Sequence, residues 1–87
     1  MKGLMFTGTS YRDLLGFTQE ARERAGLELR AVQRGEQPAD WKPMPEVGAG
    51  AREIRIHVAG AWRVIYVAKF AEAVYVLHCF RKKNQHD

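Results

Sequence analysis

Five side chains in the second half of this chain are of the kinds that handle phosphate: Arg55, Arg63, His78, Arg81 and Lys82. Arg55 stands in the alternating run Glu53-Ile54-Arg55-Ile56, and Arg63 in Trp62-Arg63-Val64-Ile65-Tyr66. A third run, Ala73 to Phe80, leads straight into Arg81-Lys82-Lys83. An arginine in the middle of a strand needs water or an anionic partner. Several such cations on one small sheet make a phosphate-binding surface.

The chemistry open to such a surface is RNA cleavage without a metal. The ribose 2′-hydroxyl attacks its own phosphate in line. The protein must help remove a proton, stabilise charge on the phosphorane oxygens, and protonate the leaving 5′-oxygen. Arg55 and Arg63 are suited to bidentate binding of the non-bridging oxygens. His78 is an acid or base near neutral pH, and Lys82 or Arg81 can steady the leaving oxygen. Glu53 is a weaker candidate for a base. Arg52, His57, Lys69, Phe80 and Lys83 flank this set and are candidates for holding the RNA strand. Plainer roles stand beside these. His78 can satisfy a backbone carbonyl, His57 and His86 can be surface residues, Arg52 can pair on the surface, and the Arg81-Lys82-Lys83 run can be a solubilising tail. The histidines and the single cysteine lack metal-site spacing, and no phosphate-loop or dinucleotide fingerprint is present. No cofactor is therefore expected.

The elements that must hold these residues follow from periodicity. From Ala51 the period is two, with Glu53, Arg55 and His57 alternating with Ile54, Ile56 and Val58. A three-residue loop, Val58-Ala59-Gly60, sets Arg63 opposite Arg55 and Trp62 opposite Ile56, and leaves Gly60 at a left-handed position. A two-residue loop would set Arg63 against Ile56 and bury a charge in the apolar face. At the next turn an even loop around Ala71-Glu72 pairs Lys69 with Val74 and Ile65 with His78. One face then holds Trp62, Val64, Tyr66, Tyr75, Leu77 and Cys79 against the helices. The other holds Arg55, His57, Arg63, His78 and Phe80, with Lys82 just beyond. Two facing arginines repel, so an anion between them is expected.

Upstream, Gly3 to Phe6 reads as a strand. Ser10 reads as a helix cap, with Asp13 at the capping-box position and Leu14, Leu15 and Phe17 toward the core. Thr18 caps again, and Ala21, Ala25, Leu29 and Val32 follow at helical spacing until Gly35. Ser10 to Arg34 is thus a helical hairpin or one broken helix. Gln37 to Gly50, with its three prolines, reads as a linker pinned by Trp41 and Met44.

The 87 residues bound a single domain spanning 1–87. A domain of this size buries roughly 60–65% of the surface its unfolded chain exposes, so one layer of helices on one sheet is the limit. The hydrophobic fraction of 46% and charged fraction of 28% are those of a soluble globular protein. No apolar run approaches a membrane span, and Arg12 and Asp13 interrupt any signal-peptide pattern. A lone cysteine, Cys79, excludes an intrachain disulfide and reads as a small core hydrophobe; a cytoplasmic location is expected. Charge is one-sided. Residues 1–40 carry six basic and six acidic side chains, whereas residues 41–87 carry eight and four, so the whole net +4 lies in the strand-rich half. That asymmetry suits a polyanionic partner.

These residues carry a resemblance. Trp41-Lys42-Pro43-Met44, Val47 to Ile56, Trp62 to Phe70 and Val74 to Lys83 resemble the phage-derived branch of the RelE/HigB toxin superfamily, with Ser10 to Leu15 and Gln33 to Glu36 also fitting. The likeness covers about nine-tenths of the chain. It implies an α+β fold of β-α-α-β-β-β order, an N-terminal helical hairpin on a small, mainly antiparallel sheet. It implies a type II toxin, an mRNA interferase acting on ribosome-bound mRNA, with a helix-turn-helix antitoxin as partner. The basic positions of the family pattern match Arg55, Arg63, Arg81, Lys82 and Lys83. Trp62 replaces the commoner tyrosine, and Arg81 stands where glutamine is commoner. Family members usually continue past the Lys-Lys pair into a further helix, which this chain is expected to lack; completion by a homodimer is left open. Two other readings remain. One is a non-catalytic module of the same fold that binds RNA, ribosome or antitoxin. The other is a structural protein of a phage or mobile element.

Overall fold

The computed structural model describes residues 1–83. It is an α+β fold in which two helices cover one face of a five-stranded mixed sheet. The elements run β1 (Gly3–Phe6), α1 (Ser10–Leu15), α2 (Gln19–Gln33), β2 (Trp41–Pro43), β3 (Ala51–His57), β4 (Ala61–Val67) and β5 (Ala73–Arg81). The strand order is β1-β5-β4-β3-β2, with β1 parallel to β5 and the other pairs antiparallel. The expected order lacked β2. Trp41–Pro43 lies in the stretch read as a linker, but it pairs with β3, Trp41 facing Ile54 and Pro43 facing Arg52. Its proline is tolerated because this is an edge strand.

Both helices form where the sequence places them, with two corrections. Thr9, not Ser10, is the N-cap residue of α1; its hydroxyl donates to Asp13 Oδ2 (2.8 Å) rather than accepting from a helix amide, and Ser10 is buried and donates to the Val76 carbonyl (3.1 Å). Leu14 and Phe17 enter the core, but Leu15 points to solvent. Thr18 caps α2 by accepting from the Ala21 amide (3.3 Å). Ala21, Ala25, Leu29 and Val32 are all buried, as their spacing requires. Gly35, at φ 84°, ends the helix in a double-bonded turn, with Gly35 N–H to Val32 O and Glu36 N–H to Ala31 O (both 2.9 Å).

The core lies between the helices and Ile54, Ile56, Trp62, Val64, Tyr66, Val74, Val76 and Cys79. Phe17 packs on Trp62 with ring centroids 4.7 Å apart. The β3–β4 register is the expected one, with Arg55 opposite Arg63 and Ile56 opposite Trp62. Ala59 takes the left-handed conformation at φ 50°, and Gly60 follows at φ 131°.

The β4–β5 register is a correction. Ile65 does face His78, but Tyr66 faces Val76 and Val67 faces Tyr75, so Leu77 is an extra residue in a bulge. Lys69 therefore does not pair with Val74. The bulge moves Val74 and Val76 onto the helix-covered face and Tyr75 and Leu77 off it. The Val76 carbonyl beside the bulge accepts from the Thr7 amide, the Thr7 hydroxyl and the Ser10 hydroxyl (2.9–3.1 Å). Among the described residues no helix follows β5 and none is long and apolar enough to cross a membrane. The expectations for His86 and for a missing C-terminal helix fall on residues 84–87 and lie outside the described residues.

Candidate functional site

Strands β3 and β4 place Arg55 and Arg63 side by side on the face turned away from the helices. The anion expected between them is the chain's own Glu53. Its Oε1 lies 3.3 Å from Arg55 Nε and 3.7 Å from Arg63 Nε. Glu53 is two residues before Arg55 on the same strand, so alternation puts both on one face. The three groups are unequally buried. The side chains of Glu53 and Arg63 are 7% and 8% exposed, whereas that of Arg55 is 33% exposed. Arg63 also donates from Nη1 to the Trp62 carbonyl (3.1 Å). Arg63 and Glu53 are thus a fixed base, and Arg55 is the guanidinium that reaches solvent. Two cations and one anion leave a single positive charge for an external ligand. Glu53, weighed as a base, has this oxygen committed to the arginines.

The rest of that face is set by β5. Phe80 is directly opposite Arg63 and exposed; His78 is opposite Ile65 and exposed. His78 is a diagonal neighbour of Arg63, roughly 7–8 Å away by sheet geometry. It makes no hydrogen bond or ion pair to the described residues, so its ring is available. Lys82 continues the ladder through its amide to the Ala61 carbonyl (2.7 Å), and alternation returns it to the face of His78 and Phe80. His57 shares the face of Arg55 but is paired with Asp40, Nε2 to Oδ2 at 3.0 Å. An exposed Lys83 follows Lys82.

Three predicted residues are not part of this group. Arg81 falls on the helix side, its guanidinium 5.1 Å from the centre of the Trp62 ring, because it alternates with Phe80 and Lys82. Arg52 also falls on the helix side, stacked 4.4 Å over Trp41 and donating to Gln37 Oε1 (3.2 Å). Lys69 lies past the end of β4, its ammonium 5.3 Å from the centre of the Phe70 ring. The basic run 81–83 is thus divided between two faces of the sheet. Cys79 is buried in the core, and burial, with Asp13 adding to it, pushes its thiol up to about 12.

The geometry is therefore a basic centre at Arg55, Arg63 and Glu53, bordered by an available histidine, an exposed aromatic ring and a lysine. The model of the family described as "Phage derived protein Gp49-like (DUF891)" matches residues 12–86. The chain belongs to that family. The matched span holds every candidate residue named above, so the site lies within what defines a Gp49-like, phage-derived protein. No curated protein matches the sequence.

Proposed function

We propose that this Gp49-like protein is the toxin of a toxin–antitoxin pair, with a RelE/HigB-like fold, and that it is an endoribonuclease cleaving ribosome-bound mRNA. Family membership supports a toxin-like reading. The observation that carries the chemistry is the facing Arg55–Arg63 pair held by Glu53 beside a histidine with no partner among the described residues. Arg55 binds a non-bridging phosphate oxygen, and Arg63 with Glu53 fixes its position and adds to the local field. His78 moves the proton between the 2′-hydroxyl and the leaving 5′-oxygen. Lys82 adds positive charge at the leaving group, and Phe80 offers a ring on which a base stacks. The partners are mRNA on the ribosome and a helix-turn-helix antitoxin.

The test is induction of the chain in cells with mapping of new mRNA 5′ ends. Arg55→Gln is the variant of choice, because it leaves the buried Arg63–Glu53 pair intact. Loss of one such donor lowers the rate about 10²–10³-fold, and His78→Gln should be comparably impaired. New ends that persist undiminished in both variants would remove the catalytic assignment. A second reading, a non-catalytic RNA- or antitoxin-binding module, is favoured by Glu53 already neutralising one guanidinium. Arg55-dependent RNA binding without new 5′ ends would establish it.

A further inference from the structure

On the helix side of the sheet, below the end of α2, lies a cavity of about 180 Å³. Lys2, Arg52, Tyr66, Gln37 and the turn after α2 line it. Tyr66 is fully buried, yet its hydroxyl has no hydrogen-bond partner among the described residues. A buried hydroxyl left unpaired is unfavourable, so its presence asks for a partner. Burial raises the pKa of this phenol. The Arg52 guanidinium is near enough to oppose the rise, without a hydrogen bond of normal geometry.

The cations around it lack counter-charges. Among the described residues neither Lys2 nor Arg52 forms an ion pair. The Lys2 ammonium donates to the Ala68 carbonyl and keeps two N–H groups, and Arg52 spends one donor on Gln37 while Trp41 holds its plane. Two features could oppose an anion. Glu36 is at the rim, but it is engaged by Arg34 Nε and Nη2 (both 3.2 Å). The carboxyl end of α2 points here, but the Ala31 and Val32 carbonyls are taken by Glu36 and Gly35. An adjoining cavity shares Arg52 and adds Lys69.

We infer that this cavity is a second anion site, which takes a terminal phosphate group between Lys2, Arg52 and the Tyr66 hydroxyl. Lys2 and Arg52 are cations that only donate, and the neutral Tyr66 hydroxyl has a proton to donate, which together suit the acceptor oxygens of a phosphate monoester. The site is across the sheet from Arg55 and Arg63, so it stands or falls independently of the proposed cleavage.

The whole chain is titrated with inorganic phosphate, then with a short RNA bearing a 5′-phosphate and the same RNA bearing a 5′-hydroxyl, following backbone amide signals by NMR. Saturable shifts are expected at Gly35, Gln37 and Ala68. Arg52→Gln should weaken phosphate binding about tenfold and Tyr66→Phe about fivefold. Tyr66→Phe removes only an unpaired hydroxyl and should melt no lower than the parent. Preference for the 5′-phosphorylated RNA at these amides identifies an RNA end as the source; binding of inorganic phosphate with no such preference identifies a free phosphate. Shifts that do not saturate, that map to Arg55 and Arg63, or that survive both substitutions would overturn the site.

Discussion

Glu53 is the residue on which the candidate site turns. Its position makes two arginines on facing strands compatible, and its burial makes the arrangement rigid. Removing one partner of a buried ion pair leaves the other charge uncompensated. Glu53→Ala should therefore destabilise the protein by about 3 kcal/mol, read as a lower urea midpoint. An unchanged midpoint would mean that Arg63 escapes to water. Cys79 has the opposite character. Its folded pKa, raised to about 12 from 9.0, favours the neutral thiol in the native state. The stabilisation is complete below about pH 9 and is lost as pH climbs toward 12. Cys79 should resist a thiol reagent at pH 8 until the protein is unfolded, and Cys79→Ala should reduce the alkaline loss of stability. Rapid native labelling would show that the thiol is not buried in solution.

Among the elements, the same substitution should have opposite signs at two glycines. Gly26 lies on the exposed side of α2, with open space where a Cβ would go. Gly26→Ala should stabilise by about 0.8–1 kcal/mol through helix propensity. Gly60 follows Ala59 in the β3–β4 loop at φ 131°, and a Cβ there would meet Arg81 Nη2 at 3.2 Å. The side chain of Arg81 can move, but the backbone strain remains, so Gly60→Ala should cost about 1–3 kcal/mol. Thermal melts of the two variants check both signs at once. The loop length was legible because one register sets Arg63 beside Arg55 and the alternative sets it against Ile56 in the apolar face. The β5 bulge was not, because alternation read from Tyr75 to Cys79 is unbroken in the sequence. Beside the break, the Val76 carbonyl is held by Thr7 and Ser10, one short segment more than sixty residues upstream.

Over the whole molecule, the charge asymmetry has a direction. The surplus cations are all on or after β2, but the sheet divides them between its faces. RNA binding should weaken steeply with salt, and Arg55→Gln should reduce the slope of log K against log salt by about one unit. Arg81→Gln, on the other face, should leave that slope unchanged. Equal effects of the two substitutions would mean that RNA wraps the sheet edge rather than lying on one face.

The sequence by itself determined the α+β class, both helices, the three long strands and the Arg55–Arg63 pairing. Each follows from local periodicity, a cap or a turn, and an amphipathic pattern has few ways to bury its apolar side. Tertiary structure alone decided the rest. It made Glu53 the counter-ion of two arginines and recruited Trp41–Pro43 as an edge strand. It also gathered Lys2 from before β1, Arg52 from β3 and Tyr66 from β4 around one cavity. These outcomes depend on contacts between residues distant in sequence, whose geometry is set when the layers pack and not by any local pattern.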